Sequence, residues 1–310
     1  MGYIMKKYNL NVIVHPERCN PDDFIQIADK IKKRCNDINV NISCLFPAIQ
    51  IIENELIEEY DYNLPSLTIC LVPLPDIKVE GKLLMCKTID KITQYKIFKE
   101  NNLNTPITKI YKLDMDLSIF GDYVFLKPFF PSIQSTGQGL FAISKEELIQ
   151  EKILFNTPYI IQEFIDSGNK ANIYRSTMFL GEVLYICRID GAVEKQDGII
   201  PKNFHNKCRP PEIDAHRFEH YPEIYDFSKK IAKAFPDSPL LGIDVIKDSE
   251  TKELYVLEVN AGGNVWHFSS KSEASKNAQH PHHIYHKLNQ YDAFNTAADA
   301  LIKVTRKLLR

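Results

Sequence analysis

Three residues in the last quarter of the chain, Asp244, Glu258 and Asn260, have side chains suited to a hard cation. They sit in two apolar runs, Leu241-Gly242-Ile243-Asp244-Val245-Ile246 and Leu254-Tyr255-Val256-Leu257-Glu258-Val259-Asn260. Side chains alternate faces along a strand, so Glu258 and Asn260 share one face while Leu257 and Val259 take the other. If the run through Asp244 pairs with the second run, the result is an oxygen cluster of the type Mg2+ prefers, completed by water and phosphate. The competing reading is an edge hairpin with its carboxylates in solvent. A second patch suits an anion. Lys127 ends a short apolar run and precedes Ser135-Thr136-Gly137-Gln138-Gly139, a loop whose backbone N–H groups can approach phosphate oxygens closely. It lacks the residue order of a P-loop, and a surface hairpin has the same composition. A third patch, Tyr159 to Ile165, carries Gln162 and Glu163 in an apolar strand whose end offers backbone donors and acceptors to a purine edge.

Such patches need elements to position them. Leu10 to Val14 reads as a strand, and Asn20-Pro21-Asp22 as the start of a helix with Phe24, Ile27, Ala28, Ile31 and Cys35 on one face. An apolar run at Ile38 to Phe46, a helix at Ile51 to Tyr60 and a strand at Leu67 to Val72 complete a small open α/β sheet over the first 85 or so residues. This lobe has no dinucleotide or P-loop fingerprint. A helix over Asp90 to Asn102 and strands at Ile107 to Tyr111 and Tyr123 to Pro128 follow. Ser144 and Glu147 then form a capping box that starts a short helix. Ile173 to Leu180 and Val183 to Ile189 form a hairpin around Gly181-Glu182, and the polar stretch Asp190 to His220 reads as a long loop or lid. A helix through Ile224, Phe227, Ile231 and Ala234, the two strands bearing Asp244 and Glu258, and an amphipathic helix through Phe294, Leu301 and Leu308 close the chain.

Composition narrows the function classes. The 310 residues carry 38 Lys and Arg against 40 Asp and Glu, a net charge of -2, so the electrostatic footprint of a nucleic-acid binder is missing. The apolar stretches are far shorter than the roughly 20 residues that span a bilayer. No signal peptide is read at the N-terminus, and the seven cysteines form no C-x-x-C pair, which fits reduced, mostly buried thiols in a cytoplasmic protein. The histidines at 280, 282, 283 and 286 lie in a polar, proline-containing stretch without matching carboxylate or cysteine spacing. They read as a surface loop or acceptor-pocket edge rather than a metal site.

Taken in order, the lysine, the glycine loop, the Gln162 strand and the closing Glu-Val-Asn resemble the ATP-grasp superfamily, in particular its RimK and glutathione synthetase branch of carboxylate–amine ligases. The resemblance implies an α/β (α+β) ATP-grasp fold: an N-terminal lobe at 1–88, a small subdomain at 89–165, and a large subdomain at 166–310 with the metal site. It implies that Lys91 and Lys127 contact phosphates and that Ser135, Thr136, Gly137, Gln138 and Gly139 form the lid loop over them. By the same resemblance Gln162, Glu163, Phe164 and Ile165 form the adenine hinge. Asn172 stands where the family usually has an Asp near the nucleotide sugar. Arg188 matches the basic catalytic position, and Lys202 and Asn203 match a segment next to the phosphates. Asp244, Glu258 and Asn260 match the ligands of two Mg2+ ions, with Mn2+ as an alternative.

The implied reaction joins a carboxylate to an amine of a small molecule, peptide or protein through an acyl phosphate, releasing ADP. An inositol phosphate kinase-like enzyme and a non-catalytic ATP-binding module are the alternatives, and oligomeric state is left open. After Asn260 the chain departs from the family, reading Ala261-Gly262-Gly263-Asn264-Val265-Trp266-His267 beside the acceptor site. Trp266 there is either a substrate wall or a core aromatic.

Overall fold

The computed structural model describes residues 6–46, 51–54, 63–73, 78–129, 141–151, 157–202, 215–262, 265–270 and 278–310. The Ser135 to Gly139 loop and Asn203 lie outside the described residues.

The first sheet is built from β1 (Tyr8–Val14), β2 (Ile38–Phe46), β3 (Ile51–Asn54), β4 (Ser66–Cys70) and β5 (Lys82–Met85), in the order β3-β2-β1-β4-β5. β1 runs parallel to β2 and β4, and β5 parallel to β4. Ile51 to Asn54, expected to begin a helix, instead pairs antiparallel with β2; the short apolar pair fits either period and the sheet edge decides it. Helix α1 (Pro21–Arg34) covers one face. Asn20 caps it by accepting from the Asp22 N–H at 3.1 Å, and Phe24, Ile27, Ala28 and Ile31 recur at helical spacing and are buried.

A four-stranded sheet follows: β6 (Thr108–Ile110), β7 (Tyr123–Pro128), β8 (Phe141–Ser144) and β9 (Tyr159–Glu163), in the order β6-β9-β7-β8. The Ser144 hydroxyl accepts from the Glu147 N–H at 3.2 Å and starts α3 (Lys145–Glu151). In the chain, the first and second sheets are linked by α2 (Lys91–Glu100), capped by Asp90, whose carboxylate accepts from the N–H groups of Ile92 and Thr93 at 3.0 Å each.

The third sheet is antiparallel, β12-β11-β10-β13-β14, formed by β10 (Lys170–Phe179), β11 (Glu182–Glu194), β12 (His216–Arg217), β13 (Leu240–Lys247) and β14 (Leu254–Ala261). Leu180 and Gly181, at φ 50° and 81°, make the two-residue turn between β10 and β11; two positive φ values match the right-handed strand twist. Asp190 to Glu194, expected in a loop, extend β11, and β12 comes from the same polar stretch. The remaining helices are α4 (Pro222–Lys233), α5 (His282–Asn289) and α6 (Ala293–Leu309). The histidine-rich stretch is therefore partly helical rather than a loop.

Packing divides the molecule unequally. One core joins the first sheet, α1 and α6 to one face of the third sheet, through residues such as Leu10, Ile31, Leu67, Tyr185 and Leu301. A second core lies on the opposite face, under α4 and the end of α2. The four-stranded sheet has its own, built on Phe120, Val124, Leu126, Ile143, Leu148 and Ile161. The first and third sheets are thus welded while the second is attached through fewer buried side chains. A paired Arg306 and Asp37, at 2.7 and 2.9 Å, adds a bidentate link across the weld.

Candidate active site

The site is assembled across three neighbouring strands. Register places Arg175 of β10 opposite Asp244 of β13, and Asp244 opposite Glu258 of β14, so all three side chains emerge on one face. Asn260 shares that face two residues on, and its amide donates to Glu258 Oε1 at 3.1 Å. Arg175 grips Asp244 with both arms of its fork, Nε to Oδ1 at 2.7 Å and Nη2 to Oδ2 at 2.6 Å. Glu258 is paired with the ammonium of Lys91.

Lys91 reaches Glu258 because α2 is fixed to β14. One turn after Lys91, the buried Gln94 accepts from the Val259 N–H at 2.8 Å and donates to the Ile89 carbonyl at 2.8 Å. Residues three apart lie on one helix face, so anchoring Gln94 aims Lys91 at the strand. Lys127, the penultimate residue of β7, brings a second ammonium from the small sheet, sitting 5.3 Å from the centre of the Phe125 ring.

These groups set each other's charge. Burial and the nearby Lys91 bring the Lys127 ammonium down to about 8, against the opposing pull of Glu258 and Asp244. Burial pushes the Glu258 carboxyl up, but Lys91 and Lys127 outweigh it and hold the group well below the usual carboxylate range. Asp244 raises the Arg175 guanidinium further still. Two carboxylates and an amide oxygen on one face form a hard-oxygen donor set that suits Mg2+, which keeps water and phosphate as its other ligands. The residues present therefore fit the ion, and three cations surround them.

No family model and no curated protein sequence matches the chain. Solved structures do. A RiPP-associated ATP-grasp ligase from Chryseobacterium gregarium, in complex with ADP and a leader and core peptide, aligns at a TM-score of 0.56 and 14% identity, over 96% of this chain and 97% of that one. VanG, a D-Ala:D-Ser ligase from Enterococcus faecalis, aligns at 0.51 and 12% identity, over 97% and 100%. The ATP-grasp ligase PsnB, complexed with the precursor peptide PsnA2 and AMPPNP, aligns at 0.51 and 13% identity, over 98% and 99%. The chain has the ATP-grasp fold.

Within the ATP-grasp fold the expected residues divide. Lys91, Lys127, Asp244, Glu258 and Asn260 meet around one cluster. Gln162 and Glu163 have their side chains engaged within the small sheet: Gln162 donates to the Thr108 hydroxyl at 2.9 Å, and Glu163 accepts from the Ile107 N–H at 3.0 Å. The Phe164 ring lies 6.2 Å from that of Tyr123, and Ile165 is buried. Asn172 donates to the Ser167 carbonyl at 2.8 Å, which ties its amide to the turn before β10.

Arg188 departs from expectation. It stands opposite Tyr174, one residue out of phase with Arg175, so strand alternation turns it to the face away from Asp244. There it pairs with Asp190 at 2.8 Å. Lys202 pairs with Glu147 of α3 at 2.6 Å, on the small sheet rather than beside the carboxylates. Trp266 is a core aromatic and not a substrate wall: it is fully buried, 4.5 Å from the Phe24 ring. At the start of α5, His280, just ahead of the helix, stacks on His283 with ring centres 4.9 Å apart. Among the described residues no three His, Cys, Asp or Glu side chains are arranged to hold a metal ion.

Two residues escaped the sequence reading. Arg175 left a trace, a lone cation within the run Ile173-Tyr174-Arg175-Ser176-Thr177-Met178-Phe179. Gln94 left none, since a glutamine in a helix is ordinary.

Proposed function

We propose that the protein is an ATP-dependent carboxylate–amine ligase, forming an amide through an acyl phosphate and releasing ADP and phosphate. The observation that carries this reading is the cluster itself: Lys91, Lys127 and Arg175 ranged around Asp244, Glu258 and Asn260 within an ATP-grasp fold. In this reading the three cations bind the triphosphate and offset the repulsion between it and an incoming carboxylate. The carboxylate oxygen attacks the γ-phosphorus, the bond to ADP breaks, and the amine then attacks the activated carbonyl as phosphate leaves and the amine loses a proton. Asp244, Glu258 and Asn260 would hold Mg2+, which supplies charge neutralisation to the phosphoryl group in flight. The backbone of Glu163 to Ile165 would border the adenine, and the Ser135 to Gly139 loop would cover the phosphates. Arg188 and Lys202, held by Asp190 and Glu147, have no part in this account.

The aligned ligases support this class of reaction. One of them was solved with a precursor peptide and another with a leader and core peptide, which supports a peptide as the source of one partner group; VanG, a D-Ala:D-Ser ligase, supports a small-molecule acceptor equally. The test is mass spectrometry of the protein with Mg2+, ATP and a pool of amino acids, peptides, small carboxylates and polyols, with the nucleotide product read in the same run. A product equal to two pool members less one water, formed together with ADP, is expected. A phosphorylated polyol would replace the ligase with a kinase, and intact ATP in every mixture would leave a binding module.

A further inference from the structure

The side chains of the cluster are not charge-balanced for a cation. Three cationic side chains, Lys91, Lys127 and Arg175, stand against two carboxylates, Asp244 and Glu258, so cations outnumber anions in the cluster by one. Each carboxylate already has a cation in contact, Lys91 on Glu258 and Arg175 on Asp244.

The two pairs differ in kind. Lys91 is a single point charge at the start of α2. Arg175 lies on the central strand β10, directly across from Asp244, and occupies both carboxylate oxygens in the planar fork-to-fork arrangement that guanidinium and carboxylate favour. The Asp244 side chain is only 6% exposed, so water screens this contact weakly. A divalent ion approaching Asp244 meets a resident positive charge at contact distance. A triphosphate meets the reverse, a surplus of cations, and its oxygens offer Arg175 the same fork geometry that Asp244 does.

We infer that Arg175, besides binding the triphosphate, keeps Asp244 closed to divalent metal in the nucleotide-free protein, so that triphosphate binds first and draws Arg175 off, and metal is held strongly only with nucleotide. The inference rests on the ATP-dependent reading above. It makes metal affinity in the absence of nucleotide a property of a residue that need not itself be a ligand.

The experiment is a titration of the full chain with Mn2+, with and without AMPPNP, read by the loss of the free-ion electron paramagnetic resonance signal and counting as bound only the Mn2+ taken up beyond what AMPPNP sequesters in a protein-free control. Wild type should hold Mn2+ weakly alone and at least tenfold more tightly with AMPPNP. Arg175→Met should raise nucleotide-free Mn2+ affinity at least tenfold, and adding Asp244→Asn to it should abolish the gain. Arg175→Gln, which keeps a hydrogen-bond donor toward Asp244 but no charge, should behave like Arg175→Met and serves if the methionine variant melts early. Unchanged nucleotide-free affinity in both neutral variants, beside tight Mn2+ retention by wild type with AMPPNP, overturns the role of Arg175 alone. Failure of wild type to retain Mn2+ even with AMPPNP overturns the ATP-dependent reading and this inference together.

Discussion

Two polar clusters, each built on a buried aspartate, Asp23 in one and Asp244 in the other, are held in opposite ways. Asp23, in the first turn of α1, receives the Trp266 indole N–H at 2.9 Å and the Ser269 hydroxyl at 2.5 Å, all neutral donors. Burial pushes its carboxyl above the usual range, and those hydrogen bonds only partly offset it. Asp244 and Glu258 instead face Arg175, Lys91 and Lys127, and the Glu258 carboxyl is held far below its ordinary range. Neutral donors satisfy a group and fix it in place, and here they latch α1 to the segment that follows β14. Cations satisfy a group while leaving it open to exchange, since any stronger anion can compete for them. The first arrangement suits a joint between elements and the second a site where charge arrives and departs.

The largest effect that separates the two clusters is on turnover. Glu258→Ala should lower ATP-dependent product formation roughly a thousandfold, about 4 kcal/mol of transition-state stabilisation, with little change in melting temperature. Full activity in that variant would erase the distinction. Asp23→Ala should do the converse. It leaves the Trp266 indole N–H buried without an acceptor and should cost about 2–3 kcal/mol in a denaturant titration, while turnover per folded molecule falls by less than about tenfold.

Lys127 sharpens the comparison through pH. Its ammonium is charged below about 8 and neutral above, so AMPPNP affinity measured without metal should weaken about tenfold between pH 7 and pH 9. Lys127→Arg should flatten that profile. The smallest effect belongs to Asp23→Asn. With the folded pKa raised above the unfolded value of 3.8, the native state binds the extra proton, so stability from this group is lost as pH rises through the folded pKa. The melting temperature of Asp23→Asn relative to wild type should therefore climb as pH goes up from 4 to 6.

Much of the scaffold could be read from periodicity. The α1 stripe, the Ser144 cap, the hairpin around Gly181 and the long C-terminal helix each depend on neighbours within one turn or one strand pair. The misreadings, and the choice left open at Trp266, fall where a distant partner decides. Ile51 to Asn54 joins a sheet because β2 offers an edge, and Trp266 is interior because Phe24, 242 residues earlier, packs on it. Arg188 looked like the functional arginine of its hairpin, yet Arg175 is the one that faces the carboxylates.

By itself the sequence determined which residue types were available and their alternation: Glu258 and Asn260 on one face, Lys127 at a strand end, a lysine directly after the capping Asp90. These follow from bond geometry and local hydrogen bonding, which act over a few residues. Only the tertiary structure decided that Arg175, 69 residues from Asp244, would close on it, and that Gln94, 165 residues from Val259, would aim Lys91 at Glu258. Strand register across β10, β13 and β14 makes those choices, and register is set by the packing of both sheet faces together, because a slip of one residue would turn every one of these charges into a hydrophobic core.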